Sequence, residues 1–233
     1  MNLPAALAEF DSTNMNIFMD GDEVVIESNG LPNHTSPYWS NTIDRSLDGH
    51  VTPAHARNHP LFVEPTATSY AQMAPGNIDD FRGMYTLRVP VKPNHAKQSS
   101  ATGLGPIGIA VSGAMIYNDK EGPNVPLEEA ASSLDYNGAH TGPQSYHYHL
   151  EPVAWSKDDD TLIGIMADGF FLYGRREVHG SYPTDLDASG GLFATTPHNK
   201  NGEYHYHIQN VRYLNRYYLL FPGEYQGTPA SVR

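Results

Sequence analysis

Short apolar runs bounded by turn-forming residues dominate the hydrophobic pattern of this chain. The runs "NIFMDG" (16–21) and "EVVIES" (23–28) are separated at an Asp-Gly pair, a strong signal for a β-hairpin. "MYTLRVPV" (84–91) alternates like a strand, and "RYYLLF" (216–221) is the last strand candidate. The clearest helix candidate is "PLEEAASSL" (126–134), which starts with proline and carries acidic residues in its first turn.

An internal repeat is the most informative feature of the pattern. "IGIAVSGAMIY" (107–117) aligns without gaps to "IGIMADGFFLY" (163–173), and each segment predicts an apolar strand pair with a central glycine turn. The stretches "HTGPQSYHYH" (140–149) and "HNKNGEYHYH" (198–207) are separated by nearly the same number of residues as these two segments. Chance similarity between apolar strands is the alternative, but two signals that share almost one offset favour a duplication.

The repeat, placed at about 103–150 and 159–208, predicts two structurally similar halves related by a pseudo-two-fold axis. We expect residues 1–233 to form a single all-β domain. Its architecture is expected to be a β-sandwich or a barrel-like domain built from two related halves, with little helix.

The repeated Tyr-His-Tyr-His motif has a defined geometry if it forms a strand. Alternate side chains share a face, so the histidines of each motif point to one side and the tyrosines to the other. Turn formers in the preceding spacer, Gly-Pro in the first copy and Asn-Gly in the second, can fold the earlier histidine back beside the pair. Each copy thus predicts three imidazoles on one side of a hairpin. The six candidate metal ligands are His140, His147, His149, His198, His205 and His207.

Three histidines on one face with an open position describe a catalytic or exchangeable metal site. Neutral imidazole suits zinc, copper, iron, nickel or manganese, of which we expect zinc or copper first, whereas calcium and magnesium prefer more carboxylates. The two motifs could share one site or form a pair of sites. The competing hypothesis is that these histidines anchor loops by hydrogen bonds or exchange protons without a metal.

Three further residues are candidates for catalysis. Asp168 stands where the first copy of the repeat has Ser112, and it could serve as a general base or an extra ligand. The alternative is that Asp168 only starts an Asp-Gly turn. Tyr148 and Tyr206 could donate protons or stack on a sugar ring. The loop-rich stretch 31–80 contains His34, His55 and His59, any of which could complete a site, although spacing gives no reason to choose between them.

The composition excludes several classes of function. The net charge of −12, without a cluster of lysine and arginine, argues against a nucleic-acid partner. The absence of cysteine excludes disulfides and cysteine-type zinc sites. No apolar run reaches the roughly 18 residues of a membrane span. The N-terminus does not read as a signal peptide as written, although a trimmed mature form could begin this way.

The chain resembles the YHYH domain family, which is named for the repeated tetrapeptide. The segments that carry the resemblance are "ESNGLPNH" (27–34), "GLGPIGIAVSG" (103–113), "DYNGAHTGPQSYHYH" (135–149), "LIGIMADGFFLYG" (162–174) and "GEYHYH" (202–207). The resemblance implies a bacterial, largely exported protein with a metal-binding role. The chain departs from the family where members often have cysteines before each motif, since Tyr136, Asn137, Ala188 and Ser189 stand there.

These features together predict a secreted or periplasmic metal-dependent hydrolase or lyase that acts on a small polar molecule, with carbohydrate as the suggested class. The metal would act as a Lewis acid or lower the pKa of a bound water. One alternative is a non-enzymatic protein that binds or stores copper or zinc. The other is a structural β module whose histidines bind no metal.

Overall fold

The computed structural model describes residues 2–34, 36, 83–130, 134–135, 137–142, 145–213 and 217–233. Within this part of the chain β-strands dominate, and helix is limited to short 3-10 helices at Ala5–Glu9 and Leu127–Glu129. The all-β fold with little helix is confirmed. None of the described helices is long and apolar enough to cross a membrane. The strands are β1 (Met15–Asp20), β2 (Glu23–Ser28), β3 (Tyr85–Pro90), β4 (Ser100–Ala101), β5 (Gly108–Ala110), β6 (Met115–Ile116), β7 (Lys120–Gly122), β8 (Val125–Pro126), β9 (Ala139–Thr141), β10 (Tyr146–Tyr148), β11 (Leu162–Met166), β12 (Phe171–Tyr173), β13 (Gly191–Ala194), β14 (Glu203–His207), β15 (Arg212–Tyr213), β16 (Tyr217–Tyr218) and β17 (Glu224–Tyr225).

A three-stranded antiparallel sheet is built from the N-terminal hairpin and β3, in the order β1-β2-β3. The hairpin predicted at the Asp-Gly pair is confirmed, because β1 and β2 pair along their whole length from Met15–Ser28 to Asp20–Glu23. The alternating segment 84–91 supplies the third strand, as its pattern predicts. Its apolar positions are buried and its intervening positions are more exposed, so one face of this sheet packs inward.

An eight-stranded sheet contains both repeated segments and both Tyr-His-Tyr-His motifs, in the order β13-β14-β12-β11-β5-β6-β10-β9. The two apolar strand pairs predicted from the repeat are formed, since β5 pairs with β6 and β11 pairs with β12. The motif strands β10 and β14 are each second from an edge, parallel to an inner neighbour and antiparallel to the edge strand. Descent of the two halves from a duplication stays a prediction.

The central strands β5 and β11 approach so closely that glycine is required in both. A Cβ atom built on Gly108 would lie 2.6 Å from the carbonyl oxygen of Ile165. A Cβ atom on Gly164 would overlap the carbonyl oxygen of Ile109. This contact gives a physical reason for the Ile-Gly-Ile sequence in both repeated segments, because any larger residue would push the two strands apart.

The hydrophobic core joins the inward face of the small sheet to one face of the large sheet. The small sheet contributes Val24, Ile26, Leu87 and Val89 to the cluster. The tyrosines of the first motif, Tyr146 and Tyr148, belong to the same cluster, as do their counterparts Tyr204 and Tyr206 of the second motif. The motif tyrosines are therefore core residues, and the alternation of a strand directs the intervening histidines to the other face.

Two local predictions differ from the structure. The helix predicted over 126–134 starts only as a 3-10 turn at Leu127–Glu129, while residues 131–133 lie outside the described part. The buried side chain of Leu127 packs with Leu134 and Leu150, which ties this turn to a small separate cluster. Among the described residues, the last strand predicted over 216–221 forms only as β16 (Tyr217–Tyr218). A further strand, β17, follows it along the chain.

Candidate metal centre

The first motif brings three histidines together at one edge of the large sheet. In the antiparallel β9–β10 pair, His140 lies directly opposite His147, and His149 follows two residues later. One ring nitrogen of each residue lies within 4.8 Å of those of the other two. All three side chains are buried, at 0%, 2% and 1% exposure. These three residues could hold a metal ion, and the hairpin predicted from the spacing is formed here.

Neighbouring groups fix the orientation of the imidazole rings. His149 Nδ1 lies 2.6 Å from the carbonyl oxygen of Asn118, which can only accept a hydrogen bond. The proton of a neutral His149 therefore resides on Nδ1, and its Nε2 keeps a lone pair available for a ligand bond. The ring of His147 stacks on Tyr117 with 3.7 Å between centroids and 15° between planes. Such outer contacts are typical of metal-binding histidines, whose rings must be held in place.

A carboxylate lies beside the three imidazoles. Glu121 Oε2 is 3.3 Å from His140 Nε2 and 3.8 Å from His149 Nε2. Within the described residues, His149 Nε2 is buried and makes no hydrogen bond, whereas Glu121 Oε2 also interacts with His140. A buried polar atom normally has a partner, so His149 Nε2 indicates that a further group belongs beside it. Glu121 is thus a fourth potential ligand.

The electrostatics of this cluster suit a cation. Burial lowers the pKa of His147 well below its usual value, and the neighbouring His140 and His149 lower it further. Burial, with His140, also lowers the pKa of His149, to about 4. Burial alone would raise the pKa of Glu121, but the two nearby imidazoles outweigh it and the pKa is lowered. At neutral pH His147 and His149 are therefore neutral, whereas the Glu121 carboxylate is ionised.

The second motif brings only two of its three predicted ligands together. His205 and His207 approach each other through their Nε2 atoms, which are 3.0 Å apart. The residue opposite His205 in the β13–β14 pair is Leu192. His198 lies in the connection between these strands, with Nδ1 3.0 Å from the Tyr173 hydroxyl. Among the described residues, the first motif alone brings three possible ligand atoms within 4.8 Å of one another.

The two spacers have the same length but not the same structure. In the first copy β9 extends to Thr141 and β10 begins at Tyr146, so His140 is itself a strand residue. In the second copy β13 ends at Ala194 and β14 begins at Glu203, which leaves His198 in a longer connection. Counting residues back from the motif therefore aligns His198 with His140, whereas the strand register aligns Leu192 with it.

The predicted catalytic residues lie on the tyrosine side of the sheet, not beside the histidines. The Tyr206 hydroxyl donates to Asp168 Oδ2 at 2.6 Å, and the Gly227 N–H donates to the same oxygen at 2.9 Å. Burial raises the pKa of Asp168. The Tyr148 hydroxyl lies 2.8 Å from Ser112 Oγ. The position of these groups does not support catalysis at the histidine cluster, because alternate strand residues face opposite ways.

The loop histidines have different outcomes. His34 Nε2 lies 2.6 Å from the Tyr148 hydroxyl, so it contacts the tyrosine side as well. His55 and His59 lie outside the described residues.

Sequence reasoning missed the residues between β6 and β8 that complete the first cluster. Tyr117 ends the first repeated segment and is visible as a repeat position. Asn118 contributes its backbone carbonyl to the histidine, which no side-chain pattern can reveal. Glu121 is one of 26 acidic residues and belongs to no recognisable motif. Only the fold places it against the imidazoles.

An all-β protein with a buried histidine cluster is the class that the fold and the site define. Residues 86–183 match the model of the family described as YHYH protein, and the resemblance predicted from the sequence is confirmed over this range. The matched range contains the whole first cluster, including Glu121, and ends before the second motif. No curated protein and no solved structure matches the chain.

Proposed function

We propose that this protein binds a divalent transition metal ion, zinc or copper, through His140, His147 and His149, with Glu121 as the fourth ligand. The observation that carries the proposal is the placement of three buried ring nitrogens within 4.8 Å of one another. Nitrogen ligands of a tetrahedral zinc ion lie about 2.0–2.1 Å from it, so two of them stand about 3.3–3.4 Å apart. Binding thus requires the rings to close by up to about 1.5 Å.

The set of donor atoms favours zinc or copper over the alkaline-earth ions. Imidazole nitrogen suits zinc, copper, nickel and iron, whereas calcium and magnesium prefer oxygen ligands. The ionised Glu121 carboxylate beside the neutral His147 and His149 favours a bound cation. The burial of the three histidines favours a protein that retains its ion, as a metal-binding or storage protein does.

Metal-dependent hydrolysis or elimination at the same site is the second function that we propose. It is favoured by Glu121, whose side chain is 24% exposed while those of His140 and His149 are fully buried. A partly exposed glutamate beside a metal ion is placed to act as a general base. The polar, carbohydrate-type substrate and the export implied by the resemblance belong to this second proposal.

Metal uptake by the chelator-treated full-length protein tests the first proposal. We expect the wild-type protein to take up zinc with an affinity that H147Q/H149Q loses. His179 is exposed and lies outside the cluster, so H179Q is the matched control and should bind as the wild type does. E121Q, a conservative change at a partly exposed position, provides a second test if the double variant fails to fold. Unchanged zinc affinity in both site variants would rule out the proposed ligands.

The two functions are separated by activity measured on the zinc-loaded protein. For a hydrolase or lyase, we expect turnover of at least one chromogenic ester or glycoside. The turnover rate of E121Q should be about 10²–10⁴-fold lower, as expected for the loss of a general base. A fully loaded protein that turns over none of these substrates would contradict the enzymatic proposal and leave metal retention in place.

A further inference from the structure

We propose that His205 and His207 form a second, separate site for a divalent transition metal ion. The two side chains are buried, at 2% and 3% exposure, and their Nε2 atoms are 3.0 Å apart. This site goes beyond the function proposed for the first cluster and does not depend on it. It consists of two imidazoles and excludes His198, which the sequence spacing had grouped with them.

The hydrogen bonds of the two rings determine what can lie between them. His205 Nδ1 lies 2.9 Å from the carbonyl oxygen of Glu203, and His207 Nδ1 lies 2.7 Å from that of Gly174. A carbonyl oxygen only accepts hydrogen bonds, so both Nδ1 atoms carry their protons. In the neutral rings both Nε2 atoms are then bare lone pairs that point at each other at 3.0 Å. Two facing lone pairs repel unless a cation lies between them.

The separation of the two nitrogens matches a chelated ion. With metal–nitrogen bonds of about 2.0–2.1 Å, a separation of 3.0 Å corresponds to an angle of about 94° at the metal. This angle is close to the 90° of square-planar and octahedral geometry, and a tetrahedral zinc ion requires the two nitrogens to move apart by only about 0.3–0.4 Å. By contrast, the three imidazoles of the first cluster have to move closer together to bind one ion.

Charged groups around the pair also favour a cation. A small cavity next to the two rings is lined by Asp160 and Glu177, and both carboxylates act on the charge of His207. Arg176 lines the same cavity, but its guanidinium is held by the Asp158 carboxylate at 2.8 Å. The cavity thus contributes two carboxylates, whereas the positive charge of Arg176 is already balanced by Asp158.

A shared proton is the competing occupant of the space between the rings. It would make one of the two histidines an imidazolium ion. Burial opposes this, because the two side chains are only 2% and 3% exposed and an imidazolium ion is costly to bury. A metal ion satisfies both lone pairs without protonating either ring. The facing nitrogens therefore favour the metal ion as the occupant.

The strand register offers a variant that should strengthen the site. Leu192 lies opposite His205, as His140 lies opposite His147 in the first cluster. Directly opposite residues in an antiparallel pair project to the same face, so L192H would add a third imidazole. Changes even to the outer partners of metal ligands move affinity about 10- to 100-fold, so the added ligand should tighten zinc binding about tenfold or more.

The test is a calorimetric titration of the chelator-treated full-length protein with zinc, checked by elemental analysis. We expect two equivalents in the wild-type protein and one in H205Q or H207Q. H198Q is the matched control and should keep both equivalents. H147Q/H149Q should lose the other equivalent, so failures of the two sites can be told apart.

Two results would overturn the second site. One is a wild-type protein that binds a single equivalent, lost in H147Q/H149Q, which would identify a proton as the occupant of the pair. The other is an L192H variant that folds, as judged by circular dichroism, yet binds zinc with the wild-type stoichiometry and affinities. This gain-of-binding variant keeps the proposal testable even if H205Q and H207Q do not fold.

Discussion

His140 lies directly opposite His147 in the β9–β10 pair, whereas the equivalent position in the β13–β14 pair holds Leu192 opposite His205. Two motifs with the same sequence and the same spacer length therefore build different clusters. The first cluster has three imidazoles and a nearby carboxylate. The second has two imidazoles whose lone pairs face each other. The register across each hairpin, not the count of residues, decides the difference.

Replacing His140 by leucine should convert the first cluster into one with two imidazoles, as in the second motif. We expect H140L to weaken zinc binding at this site by about 100-fold, since even the outer partners of metal ligands contribute about 10- to 100-fold. Competition with a chromophoric chelator measures the change. H198L, which alters a histidine outside both clusters, should leave both affinities at their wild-type values. Equal weakening by the two variants would contradict the assignment of His140.

Glu121 should contribute to metal affinity but not to folding. E121Q keeps the size of the side chain and removes its charge, so zinc affinity at the first cluster should fall about 10- to 100-fold. The unfolding free energy of the metal-free protein should fall by no more than about 1 kcal/mol, because the side chain is partly exposed and its contact with His140 is screened by solvent. E129Q, at an exposed position, is the control. An E121Q protein with wild-type zinc affinity would remove Glu121 from the site.

The metal-free protein should lose stability as the pH falls from about 6.5 to 4. Burial lowers the pKa of His149 and of His207 to about 4, below the value of 6.5 for an unperturbed histidine. In this window the unfolded chain binds more protons than the folded protein, so the free energy of unfolding decreases as the pH is lowered. Between pH 7 and 5 we expect a loss on the order of 1–2 kcal/mol for each histidine.

Urea unfolding of the chelator-treated protein at several pH values measures this dependence. H207Q removes one of the titrating groups, so its stability should fall less steeply over the same range. An identical slope in the two proteins would show that His207 titrates normally in the folded state.

Tyr206 should matter for stability rather than for catalysis. Its hydroxyl donates to Asp168 and accepts a hydrogen bond from the Gln226 N–H at 2.7 Å. Y206F leaves that buried oxygen of Asp168 with fewer partners, so it should destabilise the fold by about 1–3 kcal/mol. Zinc affinity should not change, because the ring is on the other face of the sheet. Loss of metal binding in a folded Y206F protein would contradict this separation of the two faces.

The central strand pair should not tolerate alanine at Gly164. The added methyl group would overlap the carbonyl oxygen of Ile109, and the strands would have to separate. We expect G164A to lower the unfolding free energy by about 1–3 kcal/mol, the usual cost of an overpacked interior. At Gly103 a Cβ atom would meet nothing within 4 Å, so G103A is a matched control with little effect. Similar melting temperatures for the two variants would refute the close approach of β5 and β11.

The sequence alone predicted much of the local structure. The Asp-Gly hairpin, the strand at 84–91 and the paired apolar strands of both repeated segments were all recognisable, because period-two alternation and turn residues act locally. The same alternation correctly separated the motif histidines from the motif tyrosines. The sequence nevertheless also suggested Tyr148 and Tyr206 as catalytic candidates, and the structure places both on the face opposite those histidines.

The helix predicted over 126–134 shows where local reasoning was insufficient. Its proline and acidic residues are good starting signals. In the structure, however, Leu127 is buried against Leu134 and Leu150, and only a 3-10 turn forms there. Tertiary packing overrides a helix signal of this kind, because burial of a leucine is worth more than the propensity of a few residues.

The sequence by itself determined that two histidine pairs alternate with core tyrosines on two β-strands. Only the tertiary structure decided which third group joins each pair: His140 and Glu121 at the first, and neither at the second. The physical reason is that alternation along one strand depends on the chain's own geometry. The groups that lie beside those side chains depend on the register of the strand with another segment. At the first pair they also include Glu121, a carboxylate that no sequence motif marks.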